Sequence, residues 1–354
     1  MSHAPTEDLN VAASEVMPPP ASIKTQIALS DEGARTVLES RAALCRILRR
    51  EDDRRLIIVG PCSIHDPDAG LEYARRLRGL AIEVADTVLI VMRVYFEKPR
   101  TSVGWKGFIN DPRMDDSFRV AEGMQRARRF LIDVSELGLP AATEALDPIA
   151  PQYLGDLITW TAIGARTSES QTHREMASGL STPVGFKNGT DGDLSGAINA
   201  IVSASRPHSF LGINANGVTA VIRTRGNAFG HLVLRGGGGR PNYDSVSLAL
   251  AEAALRQAGL ACNVLIDCAH SNSYKKPELQ PVVLRDGLAQ IAHGNQSIIG
   301  WMIESNLEWG NQPIPADLSQ LKYGCSVTDP CVDWATTETI IRQARDELRG
   351  CRKV

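Results

Sequence analysis

The chain has 354 residues, of which 43% are hydrophobic and 22% are charged, and its formal net charge is −3. That near-neutral balance argues against a protein built mainly to bind nucleic acid or a membrane surface. The chain has no run of 18 apolar residues, so no transmembrane helix is predicted.

Residues 1–30 are predicted to be a flexible segment, because the first twenty include three acidic and five other polar residues and end in three prolines. No cationic start precedes an apolar run, so no secretory signal is predicted. Seven cysteines without a C-x-x-C pair indicate a reducing compartment. We therefore expect a cytoplasmic protein.

The first predicted element is an amphipathic helix at 31–50. Ser30-Asp31-Glu32 has the composition of a helix start, with a capping hydroxyl and acids in the first turn. Apolar residues follow at helical spacing: Val37, Leu38, Leu44, Ile47 and Leu48.

Eight apolar segments then alternate with segments able to form helices. The predicted strands are Leu56–Val59, Val88–Val94, Pro140–Leu146, Trp160–Ala165, Pro183–Phe186, His231–Leu234, Asn263–Ile266 and Ile298–Ile303. The predicted helices lie near 66–83, 117–137, 151–158, 169–179, 193–205, 245–258, 277–293 and 333–349. Eight such units favour a parallel sheet closed into a (β/α)₈ TIM barrel, so we expect one barrel domain at 31–354. An open, doubly wound sheet is the alternative.

Two segments depart from this repeat. A β-hairpin is predicted to be inserted at 208–226, with strands at Phe210–Asn214 and Val218–Thr224 and Asn216-Gly217 between them. Gly310–Gly324 is a polar loop after the last strand.

Possible metal ligands follow the predicted strands. Cys62 follows the first strand, His270 the seventh and Glu304 the eighth, while Asp329 lies in the last loop. These strands are neighbours in a closed barrel, and barrel active sites lie at their C-terminal ends. The mixed donors suit one catalytic Mn²⁺, Fe²⁺, Co²⁺ or Zn²⁺ ion. The alternative is that the cysteine and histidine only pack in the interior.

Cations cluster at the same predicted rim: Arg93, Lys98, Arg100, Arg166, Lys187 and Arg235. Arginine forks suit phosphate and carboxylate groups, and the glycine run 236–239 could add backbone N–H donors. Ordinary solvated charges would be scattered over both ends of the barrel. The cations therefore predict an anion-binding site.

The chain resembles type I 3-deoxy-D-arabino-heptulosonate-7-phosphate (DAHP) synthase over about residues 31–350. The matching segments are Gly60–Asp66, Val91–Pro112, Ile163–Gly192, Leu234–Gly237, Ile266–Asn272 and Met302–Asn306. The resemblance implies an aldol-like condensation of phosphoenolpyruvate with erythrose 4-phosphate and water. This reaction is the first step of the shikimate pathway to aromatic amino acids.

The resemblance also implies roles for particular residues. Cys62, His270, Glu304 and Asp329 would bind the metal ion. Phosphoenolpyruvate would contact Arg93, Glu144, Arg166, Lys187 and Arg235, and the aldose phosphate would contact Lys98, Arg100 and Thr101. Lys98 is the candidate proton donor, with a pKa that we expect to be lowered by neighbouring cations. Lys98, Cys62 and His270 are thus the candidate catalytic residues.

Within the family, 144–148 and 212–214 resemble the tyrosine-sensitive isoenzymes. This implies feedback inhibition by an aromatic amino acid, in a homodimer or homotetramer in which a neighbour's N-terminal segment covers the effector site. That site would include Pro151, Gln152, Leu180, Ser181, Phe210, Gly212 and Ile222. Gly212 would leave room for a phenol ring. The alternative is that the hairpin only seals the side of the barrel.

Three other functions compete with this interpretation. A related enzyme uses arabinose 5-phosphate, but it carries Lys-Ala-Asn-Arg-Ser where this chain has Lys98-Pro99-Arg100-Thr101. A Schiff-base aldolase would use Lys187 or Lys98 and need no metal ion. A regulatory subunit would keep the barrel without catalysing a reaction.

Overall fold

Eight parallel strands form a closed barrel in the computed structural model, which describes residues 6–99 and 104–351. These strands are β1 (Arg55–Gly60), β2 (Val88–Arg93), β3 (Ala141–Glu144), β4 (Trp160–Ile163), β5 (Val184–Lys187), β8 (Gly230–Leu234), β9 (Val264–Asp267) and β10 (Ile298–Glu304). Their order around the barrel is β1-β10-β9-β8-β5-β4-β3-β2. The predicted barrel is confirmed, and the open doubly wound sheet is excluded.

Helices surround the barrel and cover its N-terminal end. They are α1 (Pro20–Gln26), α2 (Asp31–Leu48), α3 (Pro67–Glu83), α4 (Val120–Glu136), α5 (Ala150–Leu154), α6 (Gln171–Gly179), α7 (Ser195–Ala204), α8 (Ser245–Gln257), α9 (Gln280–Ala292) and α10 (Trp334–Cys351). The helix predicted at 151–158 is shorter than expected, because α5 gives way to a 3₁₀ turn at Gly155–Leu157. Within 6–99 and 104–351, no helix is both long and apolar enough to cross a bilayer.

The strands separate two layers of apolar side chains. Successive strand residues point to opposite faces, so Leu56 and Ile58 belong to the barrel interior while Ile57 and Val59 pack beneath the outer helices. Leu44, Ile47 and Leu48 of α2 join the interior cluster. The helix before β1 therefore closes one end of the barrel and leaves the other end for chemistry.

Helix α2 begins as the sequence predicts. The Ser30 hydroxyl accepts a hydrogen bond from the Gly33 amide at 3.2 Å, and Asp31 and Glu32 occupy the first turn. Both features satisfy or complement the free N–H groups of a helix N-terminus. The Arg41 guanidinium then donates to the Ile158 carbonyl at 2.8 Å, which joins the helix to the chain entering β4.

The predicted flexibility of 1–30 is wrong for α1. Pro20 occupies the first turn, where its missing N–H costs nothing, and Ile23 is completely buried. The Tyr153 hydroxyl donates to the Pro18 carbonyl at 3.0 Å, and the Ala21 amide donates to the Ala215 carbonyl at 2.8 Å. The proline run that suggested disorder instead begins a short helix packed on the barrel.

The inserted hairpin forms as predicted from β6 (Ser209–Ile213) and β7 (Thr219–Arg223), which pair antiparallel. Its base contacts the end of α6, where the hydroxyls of Ser178 and Thr224 lie 2.6 Å apart. Its tip contacts α1 through Ala215. The hairpin thus lies beside the barrel, next to the part of the chain that precedes α2.

Candidate active site

Three possible metal ligands meet at the C-terminal end of the barrel. The donor atoms of Cys62, Glu304 and Asp329 all lie within 4.8 Å of one another. Cys62 and Glu304 are buried, and Asp329 is half-buried. An ion bound at about 2.0–2.3 Å from each donor would separate the donors by up to roughly 4.5 Å. The cluster therefore has the size and the chemistry of a single-ion site.

His270 is the fourth predicted ligand and faces the same cluster. Its Nε2 lies 4.0 Å from Oε1 of Glu304, and its Nδ1 lies 2.9 Å from Oδ2 of Asp267. The backbone of His270 is left-handed, with φ of 56°, which is uncommon for a residue with a side chain. Such conformations persist where the surrounding structure fixes a side chain in place.

The electrostatics of the cluster favour a bound cation. Burial and the Glu304 carboxylate raise the pKa of the Cys62 thiol. Burial also opposes ionisation of Asp329, but Lys98, His270 and Lys275 lower its pKa overall. A buried thiol beside carboxylates ionises only when a cation compensates the negative charge of the thiolate.

Lys98 contributes one cation to this cluster. Its ammonium group donates to Sγ of Cys62 at 3.0 Å and to the Cys62 carbonyl at 3.1 Å. The expectation of a lowered pKa was wrong: burial lowers the pKa of Lys98, but Cys62 and Glu304 raise it by more. The carboxylates of Glu304 and Asp329 thus favour the ammonium form of Lys98.

Arg93 lies beneath the cluster. It is 1% exposed, its Nη2 lies 3.2 Å from Oε1 of Glu304, and its guanidinium stacks at 4.0 Å on the Tyr95 ring. The residue is absent from the lining of the cavity above. In this arrangement Arg93 orients and neutralises Glu304.

A cavity of about 400 Å³ opens beside the cluster at the end of the barrel, and we call it the mouth cavity. Its lining includes eight predicted or adjacent polar residues: Lys98, Glu144, Arg166, Lys187, Arg235, His270, Lys275 and Asp329. Four of the five predicted phosphoenolpyruvate contacts therefore share one cavity with Lys98. Arg100 and Thr101, predicted to bind the aldose phosphate, lie outside the described residues.

Two arginines, Arg166 and Arg235, line the mouth cavity. Burial lowers the pKa of Arg235, Asp267 opposes that shift, and Arg166 adds to it through like-charge repulsion. The Arg235 amide donates to Oδ1 of Asn188 at 2.8 Å, which fixes the end of β8. Converging cations that repel each other are relieved by a bound anion.

Sequence reasoning missed two charged residues of the site. Asp267 ends β9 completely buried, and its Oδ2 lies 3.0 Å from the Lys187 ammonium. Lys275 lies 3.3 Å from Oδ1 of Asp329. The spacing Asp267-Cys268-Ala269-His270 could have revealed the first, because metal-ligating histidines commonly pair with a carboxylate. Nothing in the local sequence marks Lys275.

A second cavity, of about 370 Å³, lies at the side of the barrel, and we call it the lateral cavity. Four predicted effector residues line it: Pro151, Gln152, Leu180 and Ser181. Lys24 of α1 also lines it and pairs with Asp156 at 3.4 Å. Glu144 lines both cavities.

The three predicted effector residues of the hairpin do not line the lateral cavity but lie together on one face of β6 and β7. Phe210 pairs with Ile222 across the two strands. A Cβ atom added to Gly212 would lie 2.9 Å from Cγ1 of Ile222. The missing side chain of Gly212 therefore makes room for Ile222 in this arrangement.

The chain matches the model of the DAHP synthetase I family over residues 25–342. It is 52% identical to the Tyr-sensitive phospho-2-dehydro-3-deoxyheptonate aldolase of Escherichia coli K12, covering 97% of this chain and 96% of that protein. Identity to the Phe-sensitive form from the same strain is 49%, covering 98% of each chain.

A solved structure gives the same result. Phospho-2-dehydro-3-deoxyheptonate aldolase from Francisella tularensis SCHU S4 superposes with a TM-score of 0.94 at 47% identity, covering 96% of this chain and 99% of that one. The family match at 25–342 spans all eight barrel strands, the lining of the mouth cavity and the lining of the lateral cavity except Lys24. The chain therefore belongs to the DAHP synthetase I family and is an enzyme of that family.

Proposed function

We propose that this enzyme condenses phosphoenolpyruvate with erythrose 4-phosphate and water to give DAHP and phosphate. The observation that carries the proposal is the mouth cavity, where Lys98, Arg166, Lys187 and Arg235 converge beside the Cys62–Glu304–Asp329 cluster. Two phosphorylated substrates repel each other, and this group of cations offsets their charge. The product would enter the shikimate pathway in the cytoplasm, with which seven free cysteines agree.

We also propose that Cys62, His270, Glu304 and Asp329 bind one divalent ion. A thiol, an imidazole and two carboxylates form a donor set that suits Mn²⁺, Fe²⁺, Co²⁺ or Zn²⁺. When bound, the ion would supply Lewis-acid stabilisation of negative charge on the aldehyde oxygen. Arg93, at 3.2 Å from Glu304, holds that carboxylate in place from below.

The cations of the mouth cavity would bind and orient phosphoenolpyruvate. Arg166 is exposed at the rim, whereas Lys187 is 4% exposed at the end of β5. A guanidinium fork can hold two oxygens of one phosphate or carboxylate group, while the ammonium acts as a point charge. Lys187 lies between Arg166 and Arg235 in the barrel order, and Glu144 ends β3, the neighbour of β4. Together these groups would direct C3 at the aldehyde carbon.

Lys98 is our candidate for the proton that the new alkoxide requires. Its ammonium lies 3.0 Å from Sγ of Cys62, at the border between the cluster and the mouth cavity. As C3 of phosphoenolpyruvate bonds to the aldehyde carbon, C2 becomes electrophilic and accepts water, and phosphate then leaves. Arg100 and Thr101, which follow Lys98 closely in the sequence, would hold the phosphate of the aldose.

We further propose that tyrosine inhibits the enzyme by feedback through the lateral cavity. This cavity is separate from the metal cluster, but Glu144 faces both, and Glu97 of the lateral wall directly precedes Lys98. A ligand that displaced either carboxyl group would also disturb the mouth cavity. In a homodimer or homotetramer, the N-terminal segment of a neighbour would complete the effector site near the hairpin.

The substrate proposal is tested by supplying phosphoenolpyruvate with either erythrose 4-phosphate or arabinose 5-phosphate and identifying the product by mass. We expect a seven-carbon product from erythrose 4-phosphate and little turnover with the pentose. Preferential turnover of arabinose 5-phosphate would assign the enzyme to the related activity. Inactivation by borohydride in the presence of substrate would instead indicate a Schiff base on Lys187 or Lys98.

A further inference from the structure

We propose that Asp267 is a positioning residue that couples the metal site to the phosphoenolpyruvate site through one carboxylate. The proposal rests on the proposed function, in which His270 binds the ion and Lys187 binds phosphoenolpyruvate. Asp267 itself lies outside the lining of the mouth cavity and outside the metal cluster. Its role would be to fix the two side chains that do the binding.

Three groups of the chain converge on the Asp267 carboxylate. Oδ2 lies 3.0 Å from Nζ of Lys187 and 2.9 Å from Nδ1 of His270. Oδ1 accepts a hydrogen bond from the Ala269 amide at 3.0 Å. The side chain has no exposed surface, so water cannot replace any of these partners.

The 2.9 Å approach of Oδ2 to Nδ1 is not aligned as a hydrogen bond, but its charge still favours a proton on Nδ1 of His270. An ionised carboxylate only accepts hydrogen bonds, so it selects the imidazole tautomer that is protonated on Nδ1. Nε2, which points towards Glu304 at 4.0 Å, then keeps its lone pair for a cation. Carboxylate partners of this kind orient metal-ligating histidines and raise their basicity.

The same oxygen also fixes Lys187. The ammonium group is buried, so it requires an anionic partner, and Asp267 supplies that partner from the next strand but one. Since Lys187 and His270 share Oδ2, movement of the carboxylate would displace both. A carboxylate that only neutralised Lys187 would have no effect on ion binding by His270.

Asp267→Asn distinguishes these roles because the amide is nearly isosteric. A carboxamide has one acceptor oxygen and one NH₂ donor, whereas its three neighbours at this position all present N–H groups. If the NH₂ group faces His270, the imidazole must shift its proton to Nε2 and can no longer bind a cation there. If it faces Ala269, two N–H groups oppose each other and the side chain must move.

The experiment measures Co²⁺ affinity of the wild-type chain and Asp267→Asn by competition with a chelator, without substrates. We expect the variant to bind Co²⁺ roughly 10–100-fold more weakly, the usual effect of losing such a partner. Its KM for phosphoenolpyruvate should also rise. Asp52→Asn is the matched control: it removes a carboxylate paired with Arg54 at 2.7 Å on the chain leading into β1, and should change neither value.

Equal Co²⁺ affinity and equal KM in the wild-type chain and Asp267→Asn would overturn the proposal. A wild-type chain that bound no divalent ion would instead reject the proposed metal site itself. If Asp267→Asn does not fold, Asp267→Glu decides. It keeps an acceptor-only group but moves it by one methylene, so we expect both weaker Co²⁺ binding and a raised KM, and a change in only one of the two would contradict the coupling.

Discussion

The mouth cavity and the lateral cavity are similar in volume but are built differently. The mouth cavity is formed at the ends of parallel strands, and buried ion pairs such as Arg93–Glu304 and Lys187–Asp267 hold its side chains. The lateral cavity lies between β3 and β4 on one side and α1, α5 and the end of α6 on the other, with the hairpin close by. Its ion pair Lys24–Asp156 is partly exposed, which makes it weak.

This difference matches the two proposed roles, catalysis in the mouth cavity and regulation in the lateral cavity. Strand ends fix charged groups to within a fraction of an ångström, as reaction chemistry requires. Short helices and an inserted hairpin can change without altering the barrel, as regulation requires. Glu144 is the point of contact, since it faces both cavities.

The largest effect is expected from the centre of the mouth. Cys62→Ala removes the proposed thiolate ligand, so turnover and bound divalent metal should both be lost while circular dichroism shows an intact fold. Cys45→Ala, on α2 and away from the mouth cavity, is the control and should keep both. Full activity of Cys62→Ala would remove the basis for the metal site.

A smaller effect is expected at the rim of the same cavity. Arg166→Ala removes a charge-assisted contact worth about 1.5–3 kcal/mol, which should raise the KM for phosphoenolpyruvate roughly 10–100-fold. Arg100→Ala should instead raise chiefly the KM for erythrose 4-phosphate. Arg342→Ala, which breaks a surface pair with Glu83, should change neither. If Arg166→Ala and Arg100→Ala each raised the KM for both substrates equally, the assignment of the two sub-sites would be wrong.

The comparison predicts that the hairpin affects inhibition rather than turnover. Tyrosine should inhibit the wild-type enzyme at lower concentrations than phenylalanine or tryptophan. Gly212→Ser places a Cβ atom 2.9 Å from Cγ1 of Ile222, which must then move. If this displacement costs a bound tyrosine one hydrogen bond to its phenol group, inhibition should weaken about tenfold. Gly79→Ser, in open space on α3, is the control; equal inhibition of both variants would argue against an effector site at the hairpin.

The last prediction concerns pH and stability in the lateral wall. Burial, together with Asp147, raises the pKa of Glu97 from 4.5 to about 8. The unfolded chain thus loses this proton at lower pH than the folded chain. The contribution of Glu97 to the free energy of unfolding is fully present below pH 4.5. It is lost as the pH rises towards 8, and amounts to at most about 5 kcal/mol. Glu97→Gln cannot ionise, so urea unfolding at pH 5 and pH 8 should differ less than in the wild type.

The barrel could be predicted because its signals are local. Runs such as Leu56–Val59 are apolar throughout and β-branched, and closure then brings Cys62 beside Glu304 without further information. The same reasoning failed for α1, because a proline run is compatible with either disorder or the start of a helix. Only the burial of Ile23 against residues distant in the chain distinguishes the two.

The charges within the site were harder to predict. Lys98 was expected to lie among cations, but folding places its ammonium on Cys62 at 3.0 Å, and the pKa shift changes sign. Asp267 was visible in the sequence three residues before His270, yet its contact with Lys187 depends on two strands that are far apart in the chain. Such contacts are set by tertiary structure and leave no periodic pattern.

The most direct test of the proposed function is phosphate release from phosphoenolpyruvate by the purified enzyme. It is measured with and without erythrose 4-phosphate, before and after exhaustive chelation and again after Mn²⁺ is restored. We predict that release requires both the aldose phosphate and the metal ion, stops on chelation and recovers with Mn²⁺. Release that survives chelation, or that proceeds equally well without erythrose 4-phosphate, would contradict the account.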